Sequence, residues 1–382
     1  MNRPLRFLIL TASTGNGHIS ASTAIKEELE SRGCVVQVIN VMDHVVKAFR
    51  KYFQGGYETL VRRGPSLWGY LYRTSDRPLF NYGVQTFLDW KCSYPIDQMI
   101  RDFQPDWIIN THSVAQPRLP KIQKELGIGS AVVVTDLYPH RMWLRGSPDH
   151  YFVPNEYSKE VLERRIPRIH GHVDVTGIPI NAAFANPPDR VASRSNVNLS
   201  DEDVAILVTS GGIGAGPFTE VVGKLRDTGC KLLVVCGRSE EAQQSVASQF
   251  GNDSQIQIFG HVSQAQMAEL MAACDILVGK SGGLTTFESL AVGCPFVVYE
   301  PFLIPGQEED NAKWMESKGA GVTALNLEEL ISIVEDLKSH PEKRDAMRKA
   351  AKELSKPDAT KRIADRLIEL CRSSQDAVVL SG

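Results

Sequence analysis

Twice in this chain a short apolar run leads into a glycine-rich loop and then a helical pattern: at Phe7–Leu10 with Thr11–His18, and again at Val204–Thr209 with Ser210–Gly216. Behind the first start come strand patterns at Val35–Val41, Trp107–Ile109, Ala131–Thr135, His150–Val153 and Val173–Thr176, with helical stretches between them. Behind the second come Lys231–Cys236, Ile256–Phe259, Asp275–Val278 and Phe296–Tyr299. Strands that are apolar throughout and alternate with helices belong to parallel sheets covered on both faces, and such sheets bind ligands beyond the carboxyl ends of their strands. The expected fold class is therefore α/β, with two Rossmann-like halves. At 382 residues the chain is long enough for two separate cores. The stretch Gly177–Ser200, rich in Pro, Asn and Ser, reads as the linker. The expected domains are residues 1–180, residues 181–358, and a C-terminal helix and tail, 359–382, able to pack back on the first domain. The last helical pattern runs from Ala359 to Cys371, and the polar tail after it reads as disordered.

The segment from Lys280 to Asn311 carries the most chemistry. A Ser281-Gly282-Gly283 turn follows an apolar strand and opens a helix with Leu284, Phe287, Leu290 and Ala291 on one face. A glycine turn at a helix start leaves N–H groups free beside the positive end of the helix dipole, a site for phosphate. Glu288 lies one turn further on, where a carboxylate can accept from two vicinal hydroxyls. The alternative is a solvated helix residue. Pro305-Gly306-Gln307-Glu308-Glu309 then places amide and acid groups at the next helix start. Phosphate, diol and polyol binders in that order suit a nucleotide-sugar.

Composition narrows the classes. Hydrophobic content of 42% and charged content of 23% are those of a soluble globular protein, and a formal net charge of −3 argues against a general nucleic-acid binder. The seven cysteines form no CxxC pair and read as small core residues in a reducing compartment. His170 and His172 lack an evident third ligand, so no metal is expected. The apolar run Phe7–Ala12 is too short for a signal sequence, and no run of eighteen apolar residues suggests a membrane span.

In the first glycine loop, Gly15 and Gly17 resemble the start of a dinucleotide fingerprint, but Ser20 holds the third glycine position and the second strand lacks a clean acidic end. A loop that lifts the His18 imidazole to the mouth of a cleft, where it can take a proton from an attacking hydroxyl, accounts for it better. The competing reading is a helix N-terminal histidine with local hydrogen bonds only. From Val46 to Pro78, Lys47, Arg50, Lys51, Arg62, Arg63, Arg73 and Arg77 alternate with aromatic residues including Trp68. That mixture suits the headgroup layer of an anionic bilayer, and Arg62, Arg63 and Trp68 are its candidate contacts. A packed helix pair or a nucleic-acid surface would use similar residues.

Taken together, Gly15-Asn16-Gly17-His18, Leu67-Trp68, Thr111-His112, Thr135-Asp136, Tyr151-Phe152-Val153-Pro154, Thr176-Gly177-Ile178-Pro179 and Pro305-Gly306-Gln307-Glu308 resemble the monogalactosyldiacylglycerol synthases and bacterial processive diacylglycerol glycosyltransferases of glycosyltransferase family 28. More distantly the chain is similar to the N-acetylglucosaminyltransferase that makes lipid II. The resemblance spans nearly the whole chain. It departs at Ser113, at the spacing after Thr135-Asp136, and at Asp310. It implies a GT-B fold, two Rossmann-like domains facing an interdomain cleft, with acceptor bound by the first and UDP-sugar by the second. It implies inverting, metal-independent transfer of a hexose from UDP-glucose or UDP-galactose to a lipid hydroxyl, diacylglycerol first among them, with no cofactor and no nucleic-acid partner. The place would be cytoplasmic, peripheral on the cytoplasmic face of an anionic membrane.

Matched position by position, the resemblance gives Glu288 to the ribose, and Gly283, Leu284 and Thr285, with Ser281 ahead of them, to the diphosphate. Gln307 and Glu308 fall to the transferred sugar with Asn311 in support, and Phe259 and Val262 to the turn that reads uracil. Gly15, Gly17, Gly211 and Gly212 would line the substrate loops, with His18 the base and Asp136 a second candidate for the proton. Other UDP-sugar enzymes of the same fold remain alternatives, among them a lipid-linked N-acetylglucosaminyltransferase and a sugar-nucleotide epimerase. A non-catalytic UDP-sugar sensor is another.

Overall fold

The structure is a computed structural model and describes residues 3–13, 16–44, 64–76, 94–211 and 216–381. It divides into two units, Met1–Ile180 with Asp358–Gly382, and Asn181–Pro357.

The first unit is built on a parallel sheet of β1 (Arg6–Thr11), β2 (Val35–Asn40), β3 (Trp107–Asn110), β4 (Gly129–Val133), β5 (His150–Val153) and β6 (Val173–Val175), in the order β2-β1-β3-β4-β5-β6. Strand β1 shows why the run is apolar throughout. Its side chains alternate between faces, and both faces are covered. Phe7 and Ile9 enter one core with Trp107, Ile109 and the helix residues Ile25 and Leu29. Leu8 and Leu10 enter another with Ile39, Ile96, Ile100 and Ile108. The C-terminal helix, expected to give way to a disordered tail near Cys371, runs from Ala359 to Ser381. Its Ile363, Ala364, Leu367 and Cys371 are spaced at three and four residues and complete the Phe7 core. The Thr360 hydroxyl donates to the Ile180 carbonyl at 2.9 Å, tying the start of this helix to the end of the first unit's main stretch.

The second unit carries β7 (Ala205–Thr209), β8 (Lys231–Val235), β9 (Ile256–Phe259), β10 (Ile276–Gly279), β11 (Phe296–Tyr299) and β12 (Gly321–Ala324), all parallel, in the order β9-β8-β7-β10-β11-β12. Counted within the unit, that is the doubly wound order 3-2-1-4-5-6. Strand β12 is absent from the strand patterns read above. Its four residues begin with a glycine, and Gly321 is there because a Cβ would lie 3.1 Å from the Phe296 carbonyl of the neighbouring strand.

The expected linker is a correction. Gly177–Ile180 stays with the first unit, while Asn181–Ser200 contains helices Ala182–Ala185 and Arg190–Asn196 and belongs to the second. Arg194, 4% exposed, donates to Ala273 O at 2.9 Å and pairs with Asp275 at 3.2 Å, while Arg190 pairs with the same carboxylate at 2.6 Å. Asp275 also accepts from the Ala205 N–H at 2.9 Å, so one carboxylate fixes the segment to the first strand of the unit. Two sequence-distant arginines explain why a Pro-, Asn- and Ser-rich stretch is ordered. The described cysteines read as expected for core residues: all are buried except half-buried Cys34, and Cys92 lies outside the described residues.

Candidate functional site

In a doubly wound sheet the ligand crevice opens where the strand order reverses. In the first unit that point lies between β1 and β3, and the residues beyond their carboxyl ends gather there. His18 is in the first turn of helix Asn16–Ser31, which follows β1. Its Nδ1 lies 2.9 Å from Thr111 O and 3.0 Å from Thr135 Oγ1, residues that follow β3 and β4. A carbonyl only accepts, so Nδ1 carries the proton and Nε2 is left as the basic nitrogen. Desolvation lowers the His18 pKa, while the nearby Asp136 carboxylate and the Thr111 bond oppose the shift. The ring is therefore a neutral imidazole at neutral pH. These bonds reach 93 and 117 residues along the chain, so the local-histidine reading does not describe them.

Asp136 accepts from Trp143 Nε1 at 2.7 Å, which aims the carboxylate. It acts on the His18 ring through charge. His112, named above only as part of a motif, stands with its ring 4.6 Å from that of His18 and edge-on to it. Its Nδ1 accepts from Val114 N–H at 3.1 Å, so its neutral form carries the proton on Nε2, opposite to His18. Burial and the neighbouring His18 hold its pKa well below the ordinary value. The two rings thus carry their protons on opposite nitrogens. Among the described residues, Asn110 at the end of β3 is fully buried with neither amide atom partnered, and the hydroxyls of Thr11 and Thr111 are also unpartnered. Buried orphans of this kind call for a ligand or ordered water. Since Asp136 raises the His18 pKa, Asp136→Asn should move the acidic limb of the pH–rate profile to lower pH, and an unmoved limb would separate the two groups.

The second unit repeats the plan between β7 and β10. Gly211, at φ +74°, follows β7. Helix Gly283–Val292 follows β10 and has Gly282 as its N-cap with no side-chain cap, so the N–H groups of Gly283, Leu284 and Thr285 stand open. Ser281 Oγ donates to Glu308 O at 3.1 Å, and Asn311 Nδ2 donates to Ser281 O at 2.6 Å, so the turn and the start of the next helix hold each other. Asn311 Oδ1, Gln307 Oε1 and Thr286 Oγ1 are buried and unpartnered among the described residues. Glu308 is 6% exposed, and its carboxylate pairs with Lys280 and accepts from the Ile304 N–H at 2.9 Å. Glu288 is not a solvated helix residue. It is 5% exposed, no hydrogen bond or ion pair holds its carboxyl among the described residues, and burial pushes its pKa up to about 8. Phe259 and Val262 lie at the end of β9 and just past it, on the same edge of the sheet.

The sequence itself supplies the identity. Residues 18–180 match the family model for monogalactosyldiacylglycerol (MGDG) synthase, and residues 205–363 match the glycosyltransferase family 28 C-terminal domain. The chain belongs to this glycosyltransferase family. The glycosyltransferase is 27% identical over 401 residues to the processive diacylglycerol beta-glucosyltransferase of Bacillus subtilis, covering all of both chains. It is also 27% identical over 390 residues to the enzyme of that name from Bacillus licheniformis, covering 97% of this chain and 96% of that one. Among solved structures it is similar to MurG of Acinetobacter baumannii, at TM-score 0.61 and 16% identity over 96% of this chain and 100% of that one. A UDP-GlcNAc 2-epimerase of Neisseria meningitidis bound to UDP-GlcNAc gives 0.60 and 14% over the same shares. These likenesses carry the fold, which is GT-B.

Of the glycosyltransferase's expected site residues, Gly15, Gly212, Arg62 and Arg63 lie outside the described residues. Gly17 is in the first turn of the His18 helix. Trp68 is half-buried, with its ring 6.1 Å from that of Tyr72. The exposed apolar residues of its helix, Pro65–Ser75, are Leu67, Tyr70 and Leu71. Asp76 anchors that helix through Arg165, at 2.8 and 3.1 Å, and the Arg141 N–H at 2.8 Å. Thr111, Thr135, His112, Trp143 and Lys280 were not singled out as site residues. The adjoining pairs Thr111-His112 and Thr135-Asp136 were the only signal, because partners so far apart in sequence meet only through the sheet order.

Proposed function

We propose that this glycosyltransferase moves a hexose from UDP-glucose or UDP-galactose to the hydroxyl of diacylglycerol, with inversion at the anomeric carbon and no essential metal, while docked on the cytoplasmic face of a membrane. The observation that carries the reading is the whole-length likeness to enzymes named for glucosyl transfer to diacylglycerol. The MGDG synthase match keeps galactose beside glucose. The two sites supply the complementary halves of a displacement. His18 Nε2 takes the proton of the acceptor hydroxyl as its oxygen attacks, with the Asn110 amide available to orient it. The bond from the anomeric carbon to the diphosphate breaks as negative charge grows on the leaving group. N–H groups aimed at that charge stabilise the transition state more than the ground state. Those of Gly283, Leu284 and Thr285 would do so here, which supports turnover without a metal.

Incubation with diacylglycerol vesicles and either donor in the presence of a chelator tests this. The expected product is a lipid heavier by one hexose, with a β-anomeric proton by NMR. An α product would remove inversion, and activity that needs an added divalent cation would remove the metal-independent reading.

No helix among the described residues is long and apolar enough to cross a membrane. Helix Pro65–Ser75 exposes Leu67 at 54%, Tyr70 at 64% and Leu71 at 38%, at three- and four-residue spacing, with exposed Arg73 beside them. That stripe and the basic segment before it suit an anionic interface. Vesicle binding should rise with anionic lipid and fall with salt over a Debye length of about 10 Å at 0.1 M. Changing Leu67, Tyr70 and Leu71 together to Ser should weaken it several-fold with UDP binding intact. Undiminished flotation of that variant with vesicles would place the contact elsewhere.

A further inference from the structure

Lys280 stands where a cation is electrostatically out of place. Its ammonium lies 3.8 Å from the position a Cβ would take at Gly282 and 3.9 Å from that at Gly211. Gly282 is the N-cap of helix Gly283–Val292, so the charge sits at the positive end of the helix dipole, beside N–H groups that no side chain caps. Like signs so close raise the energy of both unless an anion shares the space. In this structure the anion is a side chain of the protein, Glu308. Its Oε1 pairs with Lys280 while Oε2 stays on the Ile304 N–H at 2.9 Å. The two side chains are 17% and 8% exposed.

A second observation points to a ligand at the same turn. Asn311, 2% exposed, spends its Nδ2 on the Ser281 carbonyl and leaves Oδ1 without a partner. Thr286, fully buried in the second turn of the helix, leaves its hydroxyl without one. The turn therefore holds an excess of positive charge and unmet hydrogen-bonding groups. Glycine at 211 and 282 keeps the approach open. A Cβ at 211 would lie 2.9 Å from Lys280 Cε, and one at 282 would lie 3.2 Å from Glu308 Oε1.

We propose that Lys280 is the diphosphate-binding cation of the donor site and that its ion pair with Glu308 is exchanged when the donor binds. The ammonium turns from Oε1 to the diphosphate, and the released Oε1 accepts a hydroxyl of the transferred sugar while Oε2 remains on Ile304. The inference rests on the UDP-sugar reading above. Phosphate recognition and sugar recognition are then coupled, because the carboxylate oxygen that meets the sugar is free only once the phosphates have drawn the ammonium away. Gly211, Lys280, Glu308 and Ile304 form the connected path of that coupling.

Calorimetry of the full chain with uridine, UDP and UDP-glucose tests the exchange. Uridine has neither the diphosphate nor the transferred hexose, and UDP lacks only the hexose. Lys280→Met should weaken UDP about tenfold or more, the scale of a lost charge-assisted bond, and leave uridine unchanged. Retained uridine binding is also the control that the site still folds. Lys280→Arg should keep most of the gain of UDP over uridine. Glu308→Gln removes the competing anion, so it should tighten UDP several-fold while reducing the extra affinity of UDP-glucose over UDP. Equal loss of UDP and uridine in Lys280→Met, no loss of either, or weaker UDP in Glu308→Gln would overturn the exchange. Failure of the parent to bind UDP would instead overturn the donor-site reading on which it rests.

Discussion

His18→Ala is expected to lower turnover by roughly 10²–10⁴-fold, the span for loss of a positioned general base, with UDP affinity little changed. The expectation follows from the tautomer. The Thr111 carbonyl fixes the proton on Nδ1 and leaves Nε2 basic, and burial keeps the imidazole neutral at the pH where it must act. A base works only when deprotonated, and this pKa is lowered from the ordinary 6.5, so the acidic limb of the rate profile should lie below pH 6.5 and the plateau above it. A loss confined to the apparent acceptor affinity would make His18 a positioning residue. Kinetics like those of the parent would exclude both roles.

Glu288→Ala is expected to weaken UDP binding by about 1–3 kcal/mol, the range for hydrogen bonds to a charged group. The same carboxyl should act against the fold at high pH. Its folded pKa of about 8 lies above the ordinary 4.5, so the stability linked to its proton is full below 4.5 and is lost as pH rises through 8. Glu288→Gln should therefore be the more stable protein in thermal unfolding above pH 8, although it binds UDP less well. Opposite effects on stability and binding mark a group kept for a ligand. If the ribose hydroxyls bind the ionised form, UDP binding at pH 7 should release a proton and strengthen toward pH 8. Calorimetry in buffers of different ionisation enthalpy reads that proton directly. UDP affinity unchanged in Glu288→Ala would take the residue out of the donor site.

The strands were legible because a parallel strand covered on both faces is apolar at every position, as in Phe7–Leu10 and Ile276–Val278. Edge strand β12 was not, since Gly321–Ala324 has too little apolar length to stand out. Composition misled at Gly177–Ser200, where order comes from Arg190 and Arg194 reaching Asp275 more than eighty residues away. At the donor site the glycine turn and the acids were readable from spacing, but their environments were not. Nothing in the sequence tells that Glu288 is buried without a partner while Glu308, equally acidic, is held by Lys280 and Ile304. Those states depend on which helix packs over which turn. In the first unit, His18 stood out because a glycine loop precedes it. His112 did not, because its value lies in a ring 4.6 Å away on another strand's end.

The most direct test of the central claim is the stoichiometry of UDP release. Purified protein is given UDP-glucose or UDP-galactose with and without diacylglycerol vesicles, and UDP and glycolipid are quantified together. The account predicts one UDP for each hexose added to lipid and negligible release when the lipid is left out. UDP release that ignores diacylglycerol, or a rearranged nucleotide-sugar formed without any lipid product, would contradict it.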